Sequence, residues 1–142
     1  WKDICPDPNT LLKNKGLSNR VHLLGRRNDI ISIMNGIDLF VLSSISEAFP
    51  NVLNEAMACG TPIISSNSSA LPEIVQDFGQ LYEPGNSDAL KDCIENFYLN
   101  RPAFNDVAKK GSLYANETFN WEKIALDYEE RFIETIEKFN SC

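Results

Sequence analysis

Glu47 and Glu55 are the residues whose type and spacing carry chemistry, in the stretch LFVLSSISEAFPNVLNEAMACGTPIIS, residues 39–65. Glu47 precedes Pro50, a residue suited to the first turn of a helix, and Glu55 lies inside that helix. A helix N-terminus leaves backbone N–H groups unpaired and carries a partial positive charge, so it attracts anions. With the helix starting near Pro50, Glu55 stands roughly 7 Å along the axis from that end. A phosphate there would have a carboxylate on each side. Acids repel phosphate, so their chemistry is to accept hydrogen bonds from hydroxyls that flank it. A diphosphate with a sugar at one end and a ribose at the other has that layout.

The elements that must position these acids are legible around them. Residues 39–42 are an apolar run of strand type and length that ends in small polar residues. A second short run, residues 62–64, follows Gly60, which stops the helix. Strand, helix and strand in so few residues predict a βαβ crossover, the unit of a parallel sheet. The turn between strand and helix then lies at the carboxyl end of the first strand.

The Glu-x7-Glu spacing within SEAFPNVLNEAMACGTPII resembles the donor site of retaining glycosyltransferases of GT-B fold, the family 4 or group 1 type. VHLLGRRNDI before it and FNWEKIALDYEERF after it resemble the family's flanking segments in the same order. The resemblance runs from about residue 11 to residue 132. It implies that Glu47 contacts hydroxyls of the transferred sugar and orients it as the catalytic residue, and that Glu55 contacts those of the ribose. It implies that backbone amides around Phe49, Asn51, Val52 and Leu53 meet the sugar and diphosphate, and that Gly25, Arg26 and Arg27 sit near the nucleotide base. Ala48 and Pro50 stand where the family often has glycine, and SSNSSA stands where it often has a glycine pair.

From the same resemblance the chain is expected to be residues 1–142 of a C-terminal nucleotide-sugar-binding domain, truncated at its N-terminal side. The fold class is α/β, a partial doubly wound parallel sheet followed by C-terminal helices. No metal or organic cofactor is implied beyond a nucleoside diphosphate sugar as donor. The acceptor, a sugar or a lipid-linked one, would be held by an N-terminal domain. The complete protein is expected in the cytoplasm at the inner membrane face, peripherally associated, in surface polysaccharide or glycolipid synthesis. The chain by itself is expected to be inactive.

Composition limits the alternatives. The 142 residues suit one domain, 43% of them hydrophobic, with a net charge of −7. An acidic chain excludes a general nucleic-acid surface, and no apolar run approaches bilayer length. Cys5, Cys59, Cys93 and Cys142 show neither metal-ligand spacing nor a disulfide framework. A dinucleotide-binding domain is disfavoured, because no G-x-G-x-x-G follows a strand. A non-catalytic nucleotide-sugar-binding or scaffold module is the remaining alternative.

Along the rest of the chain, Thr10 is expected to cap a helix over 11–15 and Gly16 to end it. Residues 21–24 read as a strand, and Asn28 or Asp29 as the cap of a helix through Met34. Pro72 marks a helix through Val75, and residues 79–83 a last strand. Ser87 is expected to cap a helix with Leu90, Ile94 and Phe97 on one stripe. Pro102 is expected to interrupt before a helix over about 104–116. Trp121, Ile124, Ala125, Tyr128, Phe132 and Ile136 recur at helical spacing and read as a core stripe. In the sheet order 3-2-1-4-5-6, residues 21–24 take the third place and no segment supplies the first two.

Overall fold

The computed structural model describes residues 7–140, which fall into two compact units divided after Ile30. The first unit holds one complete helix, α1 (Pro8–Asn14). Its cap is Asp7 rather than Thr10: the Asp7 carboxylate accepts from Thr10 N at 3.0 Å and from Thr10 Oγ1 at 3.1 Å. With Pro8 at the first position, the helix starts earlier than the apolar pattern shows, because capping is set by polar groups.

Residues 21–24 form no strand, a correction to the sequence reading. Val21, Leu23 and Leu24 are all exposed. An apolar extended segment becomes a strand only when a neighbour takes up its N–H and C=O groups. Among the described residues no strand does so.

The second unit carries the α/β architecture. Helix α2 (Ile30–Gly36) leads into β1 (Phe40–Leu42), α3 (Asn51–Ala58), β2 (Ile63–Ser66), α4 (Leu71–Val75) and β3 (Gln80–Tyr82). Three helices complete the described chain: α5 (Ser87–Leu99), α6 (Arg101–Thr118) and α7 (Trp121–Asn140). The sheet is parallel in the order β1-β2-β3, with Leu42 opposite Ser65 and Ser66 opposite Tyr82. All three strands therefore present their carboxyl ends, and the loops that follow, on one side.

The expected βαβ unit is present. At the end of α3, Thr61 N–H bonds Ala56 O at 3.0 Å and Gly60 N–H bonds Met57 O at 2.9 Å. This is the paired closure that a left-handed residue permits, and Gly60 supplies it with φ +70. Strand β2 runs further than expected. Ser65 and Ser66 belong to it and are wholly buried, rather than opening a polar loop.

The core lies on both faces of the sheet. Ile64 and Tyr82 pack with Cys93 and Phe97 of α5. Ile63 and Ser65 take the opposite face by the period of a strand, and Leu53, Ala56 and Met57 of α3 are buried with them. Helix α6 lies along α3, with Ser112 Oγ donating to Ala58 O at 2.8 Å.

Four helical expectations are corrected. Asn86, not Ser87, caps α5, accepting from Ala89 N at 2.9 Å. The α5 stripe uses Cys93 with Phe97, while Ile94 is 40% exposed. The break expected at Pro102 falls at Asn100, and α6 starts at Arg101 rather than near residue 104, with Pro102 in its first turn, where its missing N–H costs nothing. The α7 stripe is no core, since none of that helix is buried and Trp121 is 82% exposed. Spacing shows which face is apolar, and packing alone decides whether it is covered.

Candidate functional site

The candidate site is built where β1 gives way to α3. The chain leaves Leu42, runs through residues 43–50 and enters the helix at Asn51. Pro50 takes the cap position in extended backbone, φ −77 and ψ 100, and no side chain caps the helix. Leu53 N–H turns back to Pro50 O at 3.0 Å. The amides ahead of it, at Asn51 and Val52, have no place in the i→i−4 ladder and stand at the positive end of the helix dipole. This open end sits at the carboxyl side of the sheet.

Glu47 lies in that loop, half-buried, and its Oε1 accepts from Ser44 Oγ at 2.8 Å. Glu55 is half-buried one turn into α3. Among the described residues neither carboxylate is engaged in an ion pair. Both therefore keep acceptor capacity for hydroxyl donors.

A concavity of about 710 Å³ brings Phe49, Asn51 and Glu55 together. Its far wall is the corner between α6 and α7, with Asn116, Phe119, Asn120 and Trp121. Asn54 also lines it, and Asn54 Oδ1 is enclosed without a hydrogen-bond partner. A buried amide oxygen ordinarily has a donor. Glu55 raises the neighbouring Cys59 thiol, after burial, which does so most.

The residues expected at the site fare differently. Phe49, Asn51 and Glu55 share the concavity, whereas Glu47 and Val52 are not in its lining. Leu53 points its side chain into the core and spends its amide on Pro50. Gly25, Arg26 and Arg27 belong to the first unit. There Gly25 turns the chain with φ +62. Arg27 donates from Nε at 2.8 Å and from Nη2 at 2.6 Å to the Asp29 carboxylate. That pairing raises Arg27 and lowers Asp29 from their ordinary ranges. Asp29 stands directly before α2, whose first residue is Ile30. Arg26 is exposed.

Several contributors escape the sequence pattern. Trp121 and Phe119 reach the site from the far end of the chain, and no local signal announces that. Asn54 was adjacent to Glu55 and one helical turn from Asn51, a signal that was available. Ser66 and Ser68 approach the Glu47 loop by donating to Ser44 O and Ile45 O.

Comparison with known proteins bears on the family and the fold. The model of the family described as glycosyl transferases group 1 matches residues 8–113. N-acetyl-alpha-D-glucosaminyl L-malate synthase of Bacillus anthracis is 32% identical over 121 residues, which cover 84% of this chain and 32% of that protein. Among solved structures, HepE of Anabaena in complex with UDP aligns with TM-score 0.84 and 29% identity, over 89% of this chain and 35% of that one. Sucrose-phosphate synthase from Thermosynechococcus elongatus aligns with TM-score 0.82 and 28% identity, over 92% of this chain and 34% of that one. The chain thus spans about a third of the length of these relatives.

Proposed function

The chain belongs to the glycosyl transferases group 1 family, and from that premise we propose that it forms the donor-binding part of a retaining glycosyltransferase. The donor is a nucleoside diphosphate sugar, and the sugar passes to an acceptor with its anomeric configuration kept. The observation that carries this reading is the uncapped N-terminus of α3 with one carboxylate before it, held by Ser44, and one within it, neither in an ion pair among the described residues.

The diphosphate sits at that helix end, where oriented amides stabilise the charge that grows as the sugar leaves. Glu47 holds the sugar hydroxyls in the orientation that transfer requires, and it is the residue to which we assign a catalytic role. Glu55 accepts from the ribose hydroxyls, with Asn54 Oδ1 beside it. Phe49 and the amides of Asn51 and Val52 border the sugar and the diphosphate. Leu53 contributes through the core it anchors. No resident metal or organic cofactor enters this scheme.

The whole protein holds its sugar or lipid-linked acceptor through a further domain and works at the cytoplasmic face of a membrane, in surface polysaccharide or glycolipid synthesis. Among the described residues no helix is long and apolar enough to cross a bilayer, and peripheral association is part of this proposal. The 142 residues by themselves transfer no sugar.

The test is a panel of nucleoside diphosphate sugars offered to the whole protein with candidate lipid-linked acceptors, and NMR of the new anomeric centre. Transfer with retention supports the reading. Inversion, or nucleotide-sugar binding without transfer to any acceptor, overturns it in favour of a binding module.

A further inference from the structure

Residues 43–49 carry Glu47 yet gain little from apolar burial, since Ile45 is 74% exposed and Phe49 55% exposed. What ties this loop is a set of hydroxyls. Ser66 Oγ donates to Ser44 O at 2.5 Å, and Ser68 Oγ donates to Ile45 O. Ser44 Oγ then donates to Glu47 Oε1 at 2.8 Å. A continuous run of contacts therefore leads from the end of β2 to the carboxylate.

The far end of that run is anchored. Ser66 is wholly buried in β2, and the next residue, Asn67, donates its N–H to Tyr82 O of β3 at 2.7 Å. Ser68 accepts Leu71 N–H on its carbonyl at 3.0 Å, which fastens it to the start of α4. Between them Ser69 adopts φ +50, a conformation L residues hold only when their surroundings impose it. The hydroxyl of Ser68 is thus presented by backbone that is fixed on both sides.

We propose that Ser44 and Ser68 are positioning residues for sugar transfer: Ser68 fixes the backbone of the Glu47 loop, and Ser44 fixes the Glu47 carboxylate. This deepens the reading of Glu47 as the sugar-orienting acid and rests on it. A serine suits the task because it occupies one lone pair and adds no charge. The rest of the carboxylate is left to accept from sugar hydroxyls. A site held by its second layer loses turnover when that layer loosens, before it loses affinity.

The experiment compares Ser44→Ala, Ser68→Ala, Ser68→Thr, Glu47→Ala and the Ser44→Ala/Glu47→Ala pair in the whole protein. Each is measured for kcat, donor KM and calorimetric affinity for UDP, GDP or ADP, whichever the wild type binds. Ser44→Ala and Ser68→Ala should each lower kcat by roughly tenfold, the loss of one ordinary hydrogen bond at its upper end. Donor KM and nucleotide affinity should stay within about twofold. Ser68→Thr, which keeps the hydroxyl, should restore kcat, and the double variant should be no slower than Glu47→Ala alone. Unchanged kcat in Ser44→Ala, or multiplicative losses in the double variant, overturns the positioning role while leaving Glu47 in place. Full turnover in Glu47→Ala overturns the reading of Glu47 and the positioning role with it. Should Ser68→Ala fail to fold, Ser44→Ala decides the outcome by the same criteria.

Discussion

Phe49 and Trp121 line one concavity, although one stands at the entry to α3 and the other at the first position of α7. The antiparallel run of α6 along α3 creates this meeting, because it delivers the α6–α7 corner to the helix end where the diphosphate is proposed to bind. Trp121 is 82% exposed, so a nucleotide that enters the concavity changes the solvation of its indole. Titrating the whole protein with UDP, GDP and ADP should shift tryptophan emission for the nucleotide that binds. Trp121→Phe should abolish the shift and keep affinity within about threefold, as exposed substitutions do. Calorimetric binding without any change in Trp121 emission would sink this expectation.

Glu47 and Glu55 should separate in kinetics. A hydrogen bond to a charged group contributes about 1.5–3 kcal/mol, or roughly 10- to 100-fold. Glu47→Ala should spend that loss on kcat, because sugar orientation matters most in the transition state. Glu55→Ala should spend it on donor KM, through the ribose. Steady-state kinetics with a single donor distinguishes the two, and wild-type constants in both variants would be falsifying.

Gly79 marks a point where the fold admits no side chain. A Cβ there would lie 2.8 Å from Val75 Cγ1 and 2.9 Å from the backbone oxygen of Ile63. A backbone atom in β2 cannot yield as a flexible side chain does. Gly79→Ala should therefore destabilise by about 1–3 kcal/mol. Urea denaturation followed by far-UV circular dichroism reads this directly, and a midpoint equal to wild type would refute it.

Cys93 should make stability fall at alkaline pH. It is buried against the sheet, and burial first, with the charge of Asp92 second, pushes its thiol up. An unfolded thiol ionises near about 8.5, while the folded one holds its proton to higher pH. The native state therefore binds more protons than the unfolded state in that window, and stability declines as pH rises through it. Below the unfolded value the contribution is whole. Urea midpoints at pH 7 and pH 10 should drop less in Cys93→Ala than in wild type. Equal drops in the two proteins would count against the assignment.

Which features could be read from the chain alone follows from the range over which each is decided. The βαβ unit around Glu47 and Glu55 was legible because its limits are local. Pro50 holds the cap position in extended backbone just ahead of α3, and Gly60 supplies the left-handed closure at φ +70. The spacing of the two acids about that helix end follows from helical rise. The sequence by itself therefore determined the two acids and the helix end that they flank.

The tertiary structure decided what each element meets. Residues 21–24 have strand composition but pair with no strand among the described residues, and a strand exists only as half of a pair. Ser65 and Ser66 look like loop residues, yet β2 is flanked by β1 and β3, and the sheet carries them into the core. The apolar stripe of α7 has the periodicity of a core face and remains exposed, because period fixes direction on a helix and not the surface opposite it. The hydroxyls of Ser66 and Ser68 reach the Glu47 loop for the same reason. Parallel pairing sets the carboxyl ends of β1 and β2 side by side, a relation between segments that no local spacing contains.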